Sequence, residues 1–150
     1  MTVEESEKQL FIPPRGVAQA LRGFITNAQD ATTDSSPVQI EVNSLENDVV
    51  VKVIDSGRGM EKDVLKRVGE PFFSTKAPGS GMGLGVFLGI AVFERLGGDV
   101  KVTSEIGQGT VVRVTLPHRV RPGDDQRVSD VSSNSAEYAK KALKTHQPLL

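Results

Sequence analysis

The sequence predicts a two-layer α/β sandwich: a mixed, mostly antiparallel β-sheet with about three helices on one face and a lid loop. Three observations predict it. Helical and strand periodicities alternate in the order helix, strand, strand, helix, helix, strand, strand, which suits layered packing of helices on a sheet. The stretch from Gly69 to Gly83 has neither period and is long for a connection in a compact domain. The 15 glycines gather where these elements begin and end.

Pro13-Pro14 blocks helix until Arg15. From there to about Thr32, apolar residues at Val17, Leu21, Phe24, Ile25 and Ala28 have the spacing of one buried helical stripe. A loop over Thr33–Pro37 leads to Val38–Val42, a period-two strand with one wet face. Val49–Ile54 is a strand buried enough to lose its alternation, and these two runs should pair as a hairpin. A short helical pattern covers about Glu61–Val68. Leu84–Leu96 is apolar almost all round and stops at Gly97-Gly98, as expected of a core helix with a glycine C-cap. Two strands, near Val100–Ser104 and Thr110–Leu116, are joined by a turn at Gly107-Gln108-Gly109. The expected organisation is an N-terminal extension at 1–12, an ordered domain at 13–118, and a polar tail at 119–150 with at most one short helix near Ala136–Leu143.

Composition narrows the function classes. Of 150 residues, 37% are hydrophobic and 25% charged, enough for a core. The absence of cysteine excludes a disulfide framework, a thiolate zinc site and a cysteine nucleophile. A net charge of −1 supplies no basic field for nucleic acid. His118 and His146 are too few and too far apart for a metal cluster. No apolar run is long enough to span a membrane and no signal-peptide pattern opens the chain. A cytoplasmic domain without membrane contact is the expectation.

Glycine-rich chains invite a phosphate-binding reading. The Walker loop, the dinucleotide fingerprint and the protein-kinase motifs are all absent. An ordered series is present instead: Asn27-Ala28-Gln29-Asp30-Ala31 late in the first helix, then Asp55-Ser56-Gly57-Arg58-Gly59 at the end of a buried strand. Glu70-Pro71-Phe72-Phe73-Ser74-Thr75-Lys76 follows in the loop. Gly81-Met82-Gly83-Leu84-Gly85 opens the apolar helix, and Gly107-Gln108-Gly109-Thr110 opens the last strand.

Each cluster suits one part of a purine triphosphate. The Asn27 amide oxygen suits a hard cation such as Mg²⁺, which takes few protein ligands. Asp55 can accept a hydrogen bond from an amino group such as adenine's. Gly57 and Gly59 let backbone approach a flat ring. Gly81, Gly83 and Gly85 lead into a helix whose free N–H groups favour an anion. Lys76 adds a positive charge near the terminal phosphate. Taken singly, each cluster has an ordinary reading: Asn27 as a surface or capping residue, Asp55-Ser56-Gly57 as a turn, Gly81–Gly85 as a flexible loop, Phe72-Phe73 as lid anchors in the core, Gly107 and Gly109 as a hairpin turn. The order of all five on these elements points to the nucleotide.

This series resembles the N, G1, F, G2 and G3 boxes of the ATP-binding fold (the Bergerat or GHKL fold) shared by sensor histidine kinases, type II topoisomerases, mismatch-repair ATPases and a heat-shock chaperone. The resemblance covers roughly Pro13–Pro117. The Glu70–Lys76 stretch followed by Gly-Met-Gly-Leu-Gly is most similar to sensor histidine kinases. Arg67-Val68-Gly69 and Phe93–Gly98 resemble the RegB/PrrB-type redox-responsive kinases. The resemblance implies that Asn27 coordinates Mg²⁺ and Asp55 bonds the adenine amino group. It implies an adenine pocket shaped by Gly57 and Gly59, with Met60 and Phe72 among the nucleotide contacts. Gly81, Gly83, Leu84 and Gly85 would line the triphosphate, Lys76 would belong to the lid, and Thr110 would support Asp55.

Two positions depart from the pattern. Gly23 stands where many relatives carry a polar or acidic residue, and where the topoisomerase and mismatch-repair branches place a glutamate base. This argues against an ATP hydrolase. Asp30 stands where many kinases have a basic residue facing the phosphates, and an acid cannot do that job. Neither His118 nor His146 suits a phosphoacceptor, and no long heptad segment precedes Pro13. The expectation is an excised catalytic domain that binds Mg·ATP and phosphorylates a histidine on a separate dimerisation domain, acting indirectly on a response regulator. The alternatives are an anti-sigma-factor-type serine kinase of the same fold and a degenerate, non-catalytic binding module.

Overall fold

The computed structural model describes residues 12–33, 36–76 and 82–118. Gly81, most of the N-terminal extension and the 119–150 tail, with the helical stretch expected near Ala136–Leu143, lie outside the described residues.

The first helix, α1 (Pro14–Ala31), begins at Pro14 rather than Arg15. A proline at the first helical position loses no hydrogen bond, because that N–H has no intrahelical acceptor, so the second proline starts the helix instead of blocking it. Its buried stripe is Val17, Ala20, Phe24 and Ala28. At the other end the Thr32 backbone N–H reaches the carbonyls of Ala28 and Gln29, and Thr32 Oγ1 donates to Ala28 at 2.9 Å. There follow β1 (Gln39–Ser44), β2 (Asp48–Asp55), α2 (Lys62–Arg67), α3 (Gly85–Arg95), β3 (Asp99–Glu105) and β4 (Gly109–Pro117).

The strands form one sheet in the order β1-β2-β4-β3, and every pairing is antiparallel. The expected mixed sheet is corrected on this point. The crossover through α2 and α3 does bring β3 back in the same direction as β2. However, β4 inserts between them, so the two parallel strands never pair. The hairpin of β1 on β2 is present, with Ile40 opposite Val53 and Val42 opposite Val51.

The core lies between the sheet and the two long helices. Phe24 of α1 and Phe93 of α3 stack with centroids 6.0 Å apart, above Val53, Val114 and Leu116. Burial of two such rings is among the larger single contributions to stability. Gly97-Gly98 ends α3 as expected, with the Gly98 N–H on the Phe93 carbonyl at 2.9 Å.

Two other expectations are corrected. β1 has no buried face: all six of its residues are exposed, Ile40 and Val42 included. The helices pack on β2, β4 and β3, so β1 extends beyond the helical layer. In α3 only Gly89, Val92 and Phe93 are fully buried, although the helix is apolar nearly all round. One side faces the core, while Val86 and Leu88 line a cavity.

His118 closes the β1–β2 turn. Its backbone N–H meets the Asn47 carbonyl at 2.9 Å and its Nε2 meets the Leu45 carbonyl at 2.8 Å. The ring is buried, so its place is structural. Among the described residues no helix is long and apolar enough to cross a membrane.

Candidate functional site

The inner face of the sheet is built of valine rows. Val51, Val114 and Val100 form one cross-strand row, and Val53, Val112 and Val102 the next. The final row toward the end of β2 switches to Asp55, Thr110 and Ser104. Asp55 and Thr110 are 7% and 8% exposed. Burying a polar row at the end of an apolar face is costly unless its groups are satisfied. The protein satisfies only part of it.

Asp55 Oδ1 accepts the Gly57 N–H at 2.9 Å, its one side-chain hydrogen bond among the described residues. The rest of the carboxylate can accept from a ligand. The Ser104 hydroxyl donates to the Gly109 carbonyl at 2.9 Å and lies 2.9 Å from Thr110 Oγ1. Ser104 has one proton to give, so Thr110 is the donor in that second bond. Its oxygen is left as an acceptor. Thr110 therefore holds Asp55 through cross-strand register and not by donating to its carboxylate. Ser104 was not singled out in the sequence; it becomes visible only once β3 is paired with β4.

The loop after Asp55 is pinned on both sides. The Arg58 N–H meets the Ala31 carbonyl at 3.2 Å, and the Gly107 N–H meets the Arg58 carbonyl at 2.9 Å. Gly57 is buried here, and a Cβ on it would lie 2.4 Å from the Ala31 carbonyl oxygen. Its smallness serves the approach of this loop to the end of α1, beside the Asp55 carboxylate. Gly59 and Met60 line the cavity.

Opposite the sheet, Asn27 and Asp30 stand about one turn apart on α1. Lys76 Nζ reaches both, donating to Asp30 Oδ2 at 2.5 Å and to Asn27 Oδ1 at 3.2 Å. The positive charge missing from the helix thus arrives from the loop. Ser74 Oγ accepts the Lys76 N–H at 3.2 Å, and Arg67 lies 4.1 Å over the Phe73 ring while pairing with Glu70. Gly83, at φ +66°, passes so close to Phe72-Phe73 that a Cβ would be 2.6 Å from the Phe73 carbonyl oxygen. That left-handed conformation strongly favours glycine. α3 then begins with Leu84 at its N-cap, without a side-chain cap or an acidic first turn, so its first N–H groups remain available to an anion.

One cavity of about 770 Å³ joins these parts, a size suited to a drug- or nucleotide-sized ligand. Of the sequence-predicted site residues, Asn27, Asp55, Gly59, Met60, Lys76, Gly83, Leu84, Gly85 and Thr110 line it. Gly57 stands behind Asp55. Phe72 is corrected: it is 41% exposed at φ +65° and outside the cavity wall, which Phe73 joins instead. The expectation that both phenylalanines anchor the lid in the core fails: Phe72 is exposed at a left-handed backbone position, and Phe73 is half-buried against Arg67 and outside the core cluster. Asn27 offers a neutral hard oxygen, and the Lys76 ammonium already stands on it. This donor fits a divalent cation held mainly by phosphate and water. Among the described residues no group of three or more His, Cys, Asp or Glu side chains could hold a metal by itself.

Comparison with known proteins agrees with this architecture. Residues 13–120 match the family described as histidine kinase-, DNA gyrase B-, and HSP90-like ATPase. Sporulation kinase E of Bacillus subtilis (strain 168) is 35% identical over 122 residues, 81% of this chain and 16% of its own length. Sensor histidine kinase ZraS of Salmonella typhimurium is 35% identical over 124 residues, 82% of this chain and 26% of its own length. The chain therefore spans only about a sixth to a quarter of these relatives. Among solved structures, the mycobacterial sensor histidine kinase MprB shares the fold at TM-score 0.62 and 22% identity, covering 71% of this chain and 73% of that one. Full-length ShkA, solved in complex with AMPPNP, aligns at TM-score 0.61 and 28% identity over 73% of this chain and 23% of its own. With the fold, the polar row and the matched residues in agreement, this chain belongs to the histidine kinase-, DNA gyrase B- and HSP90-like ATPases, and the proteins similar to it include sensor histidine kinases.

Proposed function

We propose that this domain binds Mg·ATP in the cavity and presents the γ-phosphate to a histidine carried on a separate dimerisation domain. The observation that supports it most is the opening of the Asp55 carboxylate and the Asn27 amide, 28 residues apart in sequence, into one cavity. Asp55 accepts the adenine amino group, fixed in place by the Gly57 N–H. Thr110 keeps Asp55 in register, and Gly59 and Met60 flank the ring. Gly83, Leu84 and Gly85 bring the triphosphate to the open end of α3, where backbone N–H groups receive it; we assign Gly81 to the same stretch. Asn27 Oδ1 would hold Mg²⁺ together with the phosphates, and the metal would neutralise phosphate charge. Lys76 supplies a further positive charge from the loop.

Gly23 supports transfer to a protein histidine over hydrolysis. It offers no side chain to activate water, and its nearest neighbour across the helices is the Gly85 carbonyl, 3.7 Å from where a Cβ would be. The catalytic contribution is then positioning and electrostatics. We assign residues 13–118 to the catalytic domain, 1–12 to a linker from the dimerisation domain and 119–150 to a tail. The protein acts in the cytoplasm and indirectly on a response regulator. The wording of Arg67-Val68-Gly69 and Phe93–Gly98 supports a place near the RegB/PrrB-type kinases.

Calorimetry tests the reading. Asp55→Asn should weaken ATP binding by about 1–3 kcal/mol, the effect of losing a charged acceptor. Unchanged affinity would remove Asp55 from the site. Labelled phosphate should reach a histidine only when the acceptor domain is supplied.

A further inference from the structure

Asn27 and Asp30 direct their side-chain oxygens at one atom, Lys76 Nζ. The two contacts differ in strength. The bond to the Asp30 carboxylate is charge-assisted and 2.5 Å long, while that to the Asn27 amide is 3.2 Å and involves a neutral acceptor. Asp30 therefore decides where the ammonium stands, and the Asn27 oxygen is covered as a result. The Lys76 and Asp30 side chains are 28% and 49% exposed, so the pair adds little to the stability of the fold. Its effect falls on the site. Lys76 reaches across from a segment whose backbone is shaped by Ser74 Oγ and by the Arg67–Phe73 contact. An ammonium and a divalent cation repel each other and cannot share the Asn27 oxygen.

We propose that Asp30 is a positioning residue that parks Lys76 on the Asn27 oxygen before nucleotide arrives. Loading with Mg·ATP then requires an exchange: the Lys76 ammonium leaves the amide for the phosphates, which frees the Asn27 oxygen that would hold the metal. Asp30 in this way sets a threshold for loading the site. This inference rests on the ATP-binding reading. A simpler effect of Asp30, through-space repulsion of the phosphates, does not depend on Lys76, and that difference is measurable.

The test is calorimetric titration of the 150-residue chain with ATP, in Mg²⁺ and again in EDTA. The proteins are wild type, Asp30→Asn, Asp30→Glu, Lys76→Met and the combined Asp30→Asn/Lys76→Met, each checked for folding by circular dichroism. Parking predicts that Asp30→Asn tightens Mg·ATP binding about two- to fivefold, the range of a partly exposed ion pair. Asp30→Glu keeps the charge and should stay near wild type. In the Lys76→Met background the Asp30→Asn change should move affinity by less than about 1.5-fold, because its partner is gone. An equal gain with and without Lys76 overturns the proposal in favour of simple repulsion. Weaker Mg·ATP binding by Asp30→Asn, with binding in EDTA unchanged, overturns it by making Asp30 a metal ligand. Folded wild type that binds no ATP brings down the nucleotide reading and parking together. The other two failures arise only where wild type binds.

Discussion

The two walls of the cavity are held by different means. On the sheet side Asp55 and Thr110 are almost wholly buried, locked by strand register and by a loop pinned to Ala31 and Gly107. On the helix side Asn27, Asp30 and Lys76 meet through side chains that are partly wet and joined by charge. The first wall cannot rearrange without breaking the sheet. The second can exchange partners at small cost. A cavity built this way sets a rigid surface opposite a movable one.

The sharpest way to break the contrast is Gly57→Ala. Its Cβ would meet the Ala31 backbone rather than a flexible side chain, so the fold should lose about 1–3 kcal/mol in denaturant titration. A neutral result would mean that the wall yields, and rigidity would not distinguish the two sides. Gly23→Ala on the other wall should act in the opposite direction. The nearest atom to its Cβ is 3.7 Å away, an ordinary contact, so the helix should gain about 0.5–1 kcal/mol. Thermal melting measures it, and a loss would reveal crowding between α1 and α3. Lys76→Met should alter stability least, by about 0.5 kcal/mol or less, because a partly exposed pair is screened by water. Destabilisation well above that would make the lysine structural and close the gap between the walls.

The sequence spoke clearly about what is local. The apolar stripe of α1, the valine run of β2 and the glycine stop after α3 each leave a periodic or compositional trace, and all three elements stand where they were expected. Asp55 was legible because it ends a buried strand just before Ser56-Gly57. What escaped depends on partners far along the chain. Val38, Ile40 and Val42 announce an apolar face, but nothing in them reveals that the helices stop short of β1. Asp30 read as a misplaced acid because Lys76, the residue that gives it a purpose, lies 46 positions later. Ser104 carries no motif and matters only through pairing with Thr110. Nor can a sequence say which backbone a glycine lets in, and at Gly57 that backbone is Ala31.

The strand order also sets a schedule for synthesis. β4 is the last of the described strands in chain order, yet it occupies a central position between β2 and β3. Until it arrives, β2 carries an open edge and Asp55 lacks Thr110 across from it. A nascent chain emerging at roughly 5–20 residues per second passes through a period in which this hydrophobic strand is exposed to aggregation and the wall of Asp55 and Thr110 is incomplete. The buried polar row is therefore completed in one step, when β4 slots into place.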